Sequence, residues 1–518
     1  MTEEAKKSGA GLLRSSGIVG IMTLLSRVLG LVRDVVIAGY FGASGSADAF
    51  FVAFKVPNFL RRLFAEGAFS QAFVPVLSEY RTQRDLAAVQ VLVNRVAGAL
   101  GSVLVAVTVL AVIGAPLLAA LFAPGFYMTG GEKFALASEM LRITFPYLLL
   151  ISLTAFCGAI LNSYERFAIP AFTPVLLNLC LIGSAVWLSP MLETPIMALA
   201  WGVLMAGAVQ LLFQLPFLAR LRLLPVPQPS FRDEGVRRIL KLMLPALFGV
   251  SVAQINLLLD TVLASFLQTG SVSWLYYSDR LSELPLGVFG IAIATVILPS
   301  LSRTHAAQNP ERFAQMLDWG IRMILLIGVP AALALALLAE PLIATLFHYG
   351  EMTDRDVMMS ALSLRAYAFG LLAFMLIKVL APGYFARQDT RTPVKIAVKA
   401  MMANMVFNLI LIWPLDHAGL ALATSLSAFL NAGWLLHGLL KEGVFRWQPG
   451  WGVMLFRLLS ASLALVAALL LIQQQLGDWL QAGLWTRVQW MALLVVAGGG
   501  VYLLTLLATG LRLRHLRG

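Results

Sequence analysis

Three charged residues stand inside one apolar stretch, Arg27, Arg33 and Asp34 in "SRVLGLVRDVVIAGYFG", residues 26–42. An arginine at mid-bilayer depth costs about 2.5–3.5 kcal/mol on insertion scales, so a residue of this type in such a place needs a partner or a ligand. On a helix Arg27, Gly30 and Asp34 share one face and Arg33 lies about 100° round it, an arrangement that lets all three charges look into one cavity. The next apolar stretch, "ADAFFVAFKVPNFLRRLFAEGAFSQAFVPVLSEY", adds Asp48, Lys55, Arg61, Arg62 and Glu66. Arg61 lies about 20 Å or more of helical rise from either end of it, too deep for snorkelling. Far downstream, "SVSWLYYSDRLSELPLGVFGIAIATVILPSLS" brings Asp279, Arg280 and Glu283, with Arg280 and Glu283 one turn apart and able to pair.

Two chemistries fit these residues. Intramembrane ion pairs that fix helix packing account equally well for Arg280 with Glu283 or Asp279. Arg27, Arg33, Arg61 and Arg62, however, outnumber the neighbouring acids Asp34, Asp48 and Glu66. A surplus of planar guanidinium forks suits an anionic ligand, and phosphate oxygens above all. Asp260, the lone acid of "NLLLDTVLASF", is either a site for a coupling monovalent cation, Na⁺ or H⁺, or a hydrogen-bonded structural acid. No residues are expected to be catalytic and none to bind metal. The five histidines, His305, His348, His417, His437 and His515, are scattered without ligand spacing, and the loops are too short to hold an acid–base pair. An exporter of cationic drugs would need a cavity rich in acids, which is the opposite balance.

The elements that must position these groups are membrane helices. Of 518 residues 59% are hydrophobic and 12% charged, and mean hydropathy is +0.84. Such a composition specifies an all-α polytopic membrane protein. Apolar runs split at polar breaks into about fourteen spans, starting near residues 18, 47, 89, 134, 170, 195, 239, 271, 314, 357, 394, 417, 452 and 486. Alternate breaks hold twenty-three lysines and arginines against three, Lys133, Arg355 and Arg487, on the opposite side. The positive-inside rule then places both termini in the cytoplasm, with residues 1–17 as a retained tail, and makes topology rather than nucleic acid the reason for the +12 net charge. Cys157 and Cys180 both fall in apolar spans and read as buried packing residues.

The chain also repeats itself. "PLLAALFAPG" at 116–125 matches "PLIATLFHYG" at 341–350 at six of ten positions, "FVPVLSEY" at 73–80 is echoed by "ILPSLSRT" at 297–304, and "TPV" recurs at 173–175 and 392–394. The near-constant offset implies two parallel six-helix lobes, residues 18–225 and 226–450, with spans 13 and 14 and a cytoplasmic tail, 451–518, outside the symmetry. Pro57, Gly67 and Pro75 interrupt the second span and Pro285 and Gly287 the eighth, which points to bending at corresponding places in the two repeats.

"SRVLGLVRDVVIA", "ADAFFVAFKVPNFLRRLFAEGAFSQAFVPVLSEY", "GSVSWLYYSDRLSELPLGV" and "PGYFARQDTRTPVKIA" resemble the signature stretches of the MurJ (MviN) family of lipid II flippases in the MOP exporter superfamily. The resemblance implies fourteen spans, a V-shaped pair of lobes, a central cationic cavity and a hydrophobic groove involving spans 13 and 14. It implies as substrate undecaprenyl-pyrophosphate carrying the disaccharide-pentapeptide, moved by alternating access from the cytoplasmic to the periplasmic leaflet of the bacterial inner membrane for peptidoglycan synthesis. The family's important charged positions fall on Arg27, Arg33, Asp48, Arg61, Arg62 and Arg280. Asp260 lies outside the matching stretches and inherits no role. The alternative that motifs alone oppose is an exporter of another polyprenyl-linked glycan. No cofactor is implied beyond a monovalent cation and the membrane potential, and the expected partners are lipid II and membrane lipids, with the cell-wall synthesis machinery left open.

Overall fold

In the computed structural model of the chain every regular element among the described residues is a helix. These comprise the backbone of residues 3–512, together with their side chains apart from 3–17, 64–67, 246, 248–250, 252, 253, 256, 257 and 291. Nineteen α-helices follow in order: α1 (Glu3–Phe41), α2 (Gly45–Arg61), α3 (Ser70–Gln83), α4 (Leu86–Ile113), α5 (Ala115–Phe122), α6 (Pro124–Thr129), α7 (Glu132–Thr144), α8 (Tyr147–Ser163), α9 (Ala168–Gly183), α10 (Met197–Arg220), α11 (Glu234–Ala264), α12 (Ser271–Pro285), α13 (Ile291–Ala306), α14 (Pro310–Leu337), α15 (Ala339–Phe347), α16 (Asp354–Phe385), α17 (Arg391–Lys441), α18 (Trp451–Gln475) and α19 (Leu484–Ala508). Ten helical stretches among the described residues are long and apolar enough to cross a membrane. The expected starts near 18, 47 and 239 fall on α1, α2 and α11, which are not among the ten, and those near 394 and 417 share α17. Inside α17 the chain bends at Asp416, whose φ of 48° and ψ of −130° leave the helical region two residues after Pro414.

Local chemistry explains the helix starts. Ser44 accepts the Ala47 N–H, Asp85 that of Ala88 and Asn309 that of Arg312, while Thr353 and Asp356 form a reciprocal capping box. Before α17, Asp389 accepts the N–H groups of Arg391 and Thr392. Hydrogen bonding from Thr392 holds its carboxyl below the usual carboxylate range.

The expected breaks in the second and eighth spans are present as wide turns. Residues 62–69 join α2 to α3, and residues 286–290 join α12 to α13, each as a π-helical segment. Just before the first, Pro57 offers no N–H to the carbonyl of Ala53, and the Thr144 hydroxyl of α7 supplies that bond at 3.0 Å.

The chain forms two compact units, Met1–Gly270 and Ser271–Gly518. In the first, α1 packs on α9, α2 on α7 and α8 on α10, and α11 packs against α3 and the 62–69 turn. Its core includes the stacked rings of Phe69 and Phe73 with Phe156 tilted against them, and Cys157 is buried in the same cluster, whereas Cys180 is only half-buried. Gly125 lets α6 meet the end of α11, since a Cβ there would lie 2.1 Å from the Ser265 carbonyl oxygen. In the second unit α16 packs between α14 and α17, and the α18–α19 pair leans on α14 and α15.

Candidate functional site

The charges of α1 divide into two environments. Arg33 is buried, its Nε and Nη2 donating to Asp34 Oδ1 at 2.9 and 2.7 Å and its Nη1 to Asn178 Oδ1 of α9 at 3.0 Å. Asn178 Nδ2 completes the tie by donating to the Ser26 carbonyl at 3.0 Å, beside Gly30. Adjacent helix positions diverge by 100°, yet the arginine is long enough to wrap back onto its neighbour's carboxylate. Asp34 is therefore 1% exposed and faces no open cavity, contrary to the arrangement expected from spacing. Arg27 is exposed.

The α2 residues spread along the helix in the same way. Asp48, 1% exposed, accepts the Gly270 N–H at 2.7 Å and lies 3.7 Å from the ammonium of Lys133, which also donates to Thr269 and sits over the Phe126 ring. Gly270 has a φ of +100°, which a side chain would strain, so glycine is what permits its N–H to point at the carboxylate. Lys55 donates to Thr261 Oγ1 of α11 at 2.8 Å, next in sequence to Asp260, which is half-buried. Arg61 is half-buried and donates to Asn58, Arg62 is exposed, and the side chain of Glu66 lies outside the described residues.

In the second unit Arg280 and Glu283 form the expected pair, 3.1 Å apart, with the guanidinium 5.0 Å from the centre of the Tyr276 ring. Both side chains are substantially exposed, and Asp279 beside them is half-buried. The one-turn spacing is thus used as an ion pair, which leaves the role of Arg280 open between helix packing and ligand binding. The structure thus brings together Arg33 with Asp34, Arg280 with Glu283, and Asp48 with a lysine.

Sequence reasoning missed Asn178, Thr261 and the structural use of Lys133. A lone asparagine in "VLLNLCLIG" was the available signal, since a carboxamide among apolar residues at membrane depth must find a partner. For Lys133 the sequence showed only a rare cation on the outward side. What the first unit presents is a set of arginines in two environments, Arg33 bound to a buried carboxylate and Arg27, Arg61 and Arg62 at exposed or half-buried positions.

Comparison with known proteins agrees over almost the whole chain. Residues 37–488 match the family model described as lipid II flippase MurJ. The chain is 51% identical over 507 residues to a probable lipid II flippase MurJ of Haemophilus influenzae, covering 96% of this chain and 99% of the relative. With the corresponding Vibrio cholerae protein identity is 52% over 512 residues, 98% of both chains. A lipid II flippase MurJ of Burkholderia cenocepacia is 44% identical over 458 residues, 88% of this chain and 89% of the relative. Among solved structures, a lipid II flippase MurJ in an inward closed conformation superposes with a TM-score of 0.78 at 26% identity, covering 94% of this chain and 97% of that one. An inward-facing multidrug resistance MATE family transporter of the MOP superfamily superposes with a TM-score of 0.69 at 16% identity, covering 82% of this chain and 98% of that one, a likeness of fold alone. The chain belongs to the MurJ family of lipid II flippases.

Proposed function

We infer that this protein is a lipid II flippase, a multi-pass transporter of the bacterial inner membrane and not an enzyme. It carries undecaprenyl-pyrophosphate-linked disaccharide-pentapeptide from the cytoplasmic to the periplasmic leaflet for peptidoglycan synthesis. The observation that carries the reading is identity of 51% and 52% sustained over nearly the full length of relatives named as probable lipid II flippases. The arginines supply the matching chemistry. Arg27, Arg61 and Arg62 are at least partly accessible, and guanidinium is the side chain whose donor geometry fits pyrophosphate. Arg33 supports them by fixing α1 to α9 through Asn178. On this reading the chain crosses the membrane fourteen times, with both termini cytoplasmic.

The transport cycle is driven in part by voltage. The cytoplasm is negative, and outward transfer of a pyrophosphate is favoured by about 2.3 kcal/mol per charge per 100 mV. If the arginines travel with the lipid they cancel part of this gain, but the empty, net positive site is then drawn back toward the cytoplasm by the same field. A proton or Na⁺ held at Asp260 alters the count without removing the argument. Depletion of the protein in its bacterium, with a leaflet-specific assay of lipid II, tests the function. Lipid II should accumulate in the inner leaflet, and an unchanged distribution would overturn the reading.

A further inference from the structure

Between α3, α8, α9 and α10 of the first unit lies a cleft of about 740 Å³, with Arg61 at one end. Its volume is that of a small-molecule site. Along α2 and α3 its lining runs from Arg61 to Ser78, a helical rise of about 25 Å. The far end lies beside Arg81, which donates to the Ser163 carbonyl and sits over the Tyr164 ring, in the set of basic breaks that topology assigns to the cytoplasm.

The wall has an unusual chemistry. Val74, Ile151, Pro170 and Leu177 give it apolar faces, while Ser78 and Asn162 are exposed along it. Farther in, Gln210 and Gln214, 2% and 1% exposed, spend their carboxamide nitrogens on the carbonyl and hydroxyl of Thr173, at 3.0 and 2.9 Å. Neither Oε1 meets a donor among the described residues. Buried acceptors are ordinarily paired, by protein, ordered water or ligand, so two on one cleft wall have room in their hydrogen-bonding for a donor that a bound molecule brings. No aspartate, glutamate, lysine or histidine lines the cleft among the described residues, and Arg61 is its one base.

We propose that this cleft is a subsite for the neutral N-acetylated sugars of the lipid II headgroup, entered from the cytoplasmic end. The proposal rests on the lipid II reading given above. Pyranose rings present apolar C–H faces to the aliphatic wall, and their acetamido N–H and hydroxyl groups are donors of the kind the two glutamines lack. An organic cation would find no acid here. The charged peptide would find no counter-charges beyond Arg61, and a pyrophosphate is matched only at the Arg61 end.

Binding of three lipids to the purified protein in nanodiscs tests this: lipid II, undecaprenyl-pyrophosphoryl disaccharide with a simple amide on its lactyl carboxyl in place of the peptide, and undecaprenyl pyrophosphate. Two variants accompany the wild type, the double substitution Gln210→Met with Gln214→Met, and Ala155→Phe, which fills the cleft without altering either glutamine. The wild type should bind both sugar-bearing lipids about tenfold more tightly than undecaprenyl pyrophosphate, as two net hydrogen bonds provide. Both variants should erase that preference and leave affinity for undecaprenyl pyrophosphate unchanged. Equal weakening for all three lipids, a preference that survives both variants, or one that vanishes when the peptide alone is removed would each overturn the subsite. A wild type that binds none of the three would overturn the lipid II reading, and the subsite with it.

Discussion

The guanidinium of Arg487 donates to Nδ1 of His348 across 2.9 Å, joining the start of α19 to the turn that follows α15. Arginine has donors only, so Nδ1 must be the accepting nitrogen, and Nε2 carries the hydrogen that meets Asp354 Oδ1 at 2.8 Å. The same guanidinium, 4% exposed, donates to the carbonyls of Trp479, Leu480, Ala344 and His348. One buried cation thereby satisfies the end of α15 and the chain leading into α19.

Replacing Arg487 by Ala should lower stability by about 3 kcal/mol, because it takes a donor from four carbonyls, of which Ala344 keeps the His348 N–H, and from a ring nitrogen. Lys should recover only a minor part, since an ammonium cannot span a fork of acceptors. Thermal unfolding in detergent provides the check, and an unchanged midpoint for the alanine variant would refute the assignment.

The Arg33–Asp34 pair calls for a double-mutant cycle. Arg33→Leu takes the guanidinium from a carboxylate that is 1% exposed and should cost about 3–5 kcal/mol, whereas Arg33→Leu with Asp34→Leu removes both charges and should recover most of that loss. Equal destabilisation by the single and double variants would show that the pair does not act as a unit.

Arg27 behaves differently because it is exposed. Arg27→Ala should leave stability within about 0.5 kcal/mol yet abolish flipping, with Arg27→Lys partly active. Protein level in the membrane and the leaflet assay of lipid II, measured together, separate these effects. Full flipping by the alanine variant would remove Arg27 from the ligand site.

The contrast among these arginines marks what a sequence can show. Charges in apolar runs are visible because their cost depends only on depth, and the breaks at 62–69 and 286–290 were signalled by proline and glycine. Partner identity was not visible. Asn178 lies 145 residues from Arg33, and Arg487 read as one of three stray outward cations until folding placed it among carbonyls contributed by residues 344 and 348. The repeat boundary near 225 also differs in kind from the packing boundary at 270. The boundary near 225 is an expectation from the order of spans in the sequence, whereas the packing boundary at 270 follows from α11 packing on α3 and the 62–69 turn.

Truncation before residue 451 should yield a protein that inserts but does not flip lipid II. The α18–α19 pair is held by specific polar ties. Tyr502 donates to the Leu326 carbonyl at 2.7 Å, the bond that Pro330 cannot make within α14, and Trp451 Nε1 donates to Asp318 at 2.7 Å. Removing the pair leaves Asp318 still bridged to Arg322 at 2.6 Å, so no buried carboxylate is left without its counter-charge. The orphaned Leu326 carbonyl and the end of α15 are local losses that the remaining helices should survive. The long prenyl tail, in contrast, has no polar group for an arginine cluster to hold, and on the proposed reading it depends on the apolar surface that α18 and α19 supply. The measurement is the amount of truncated protein in the membrane alongside lipid II appearance in the outer leaflet. Normal flipping at normal abundance would show that the two helices have no part in carrying the tail.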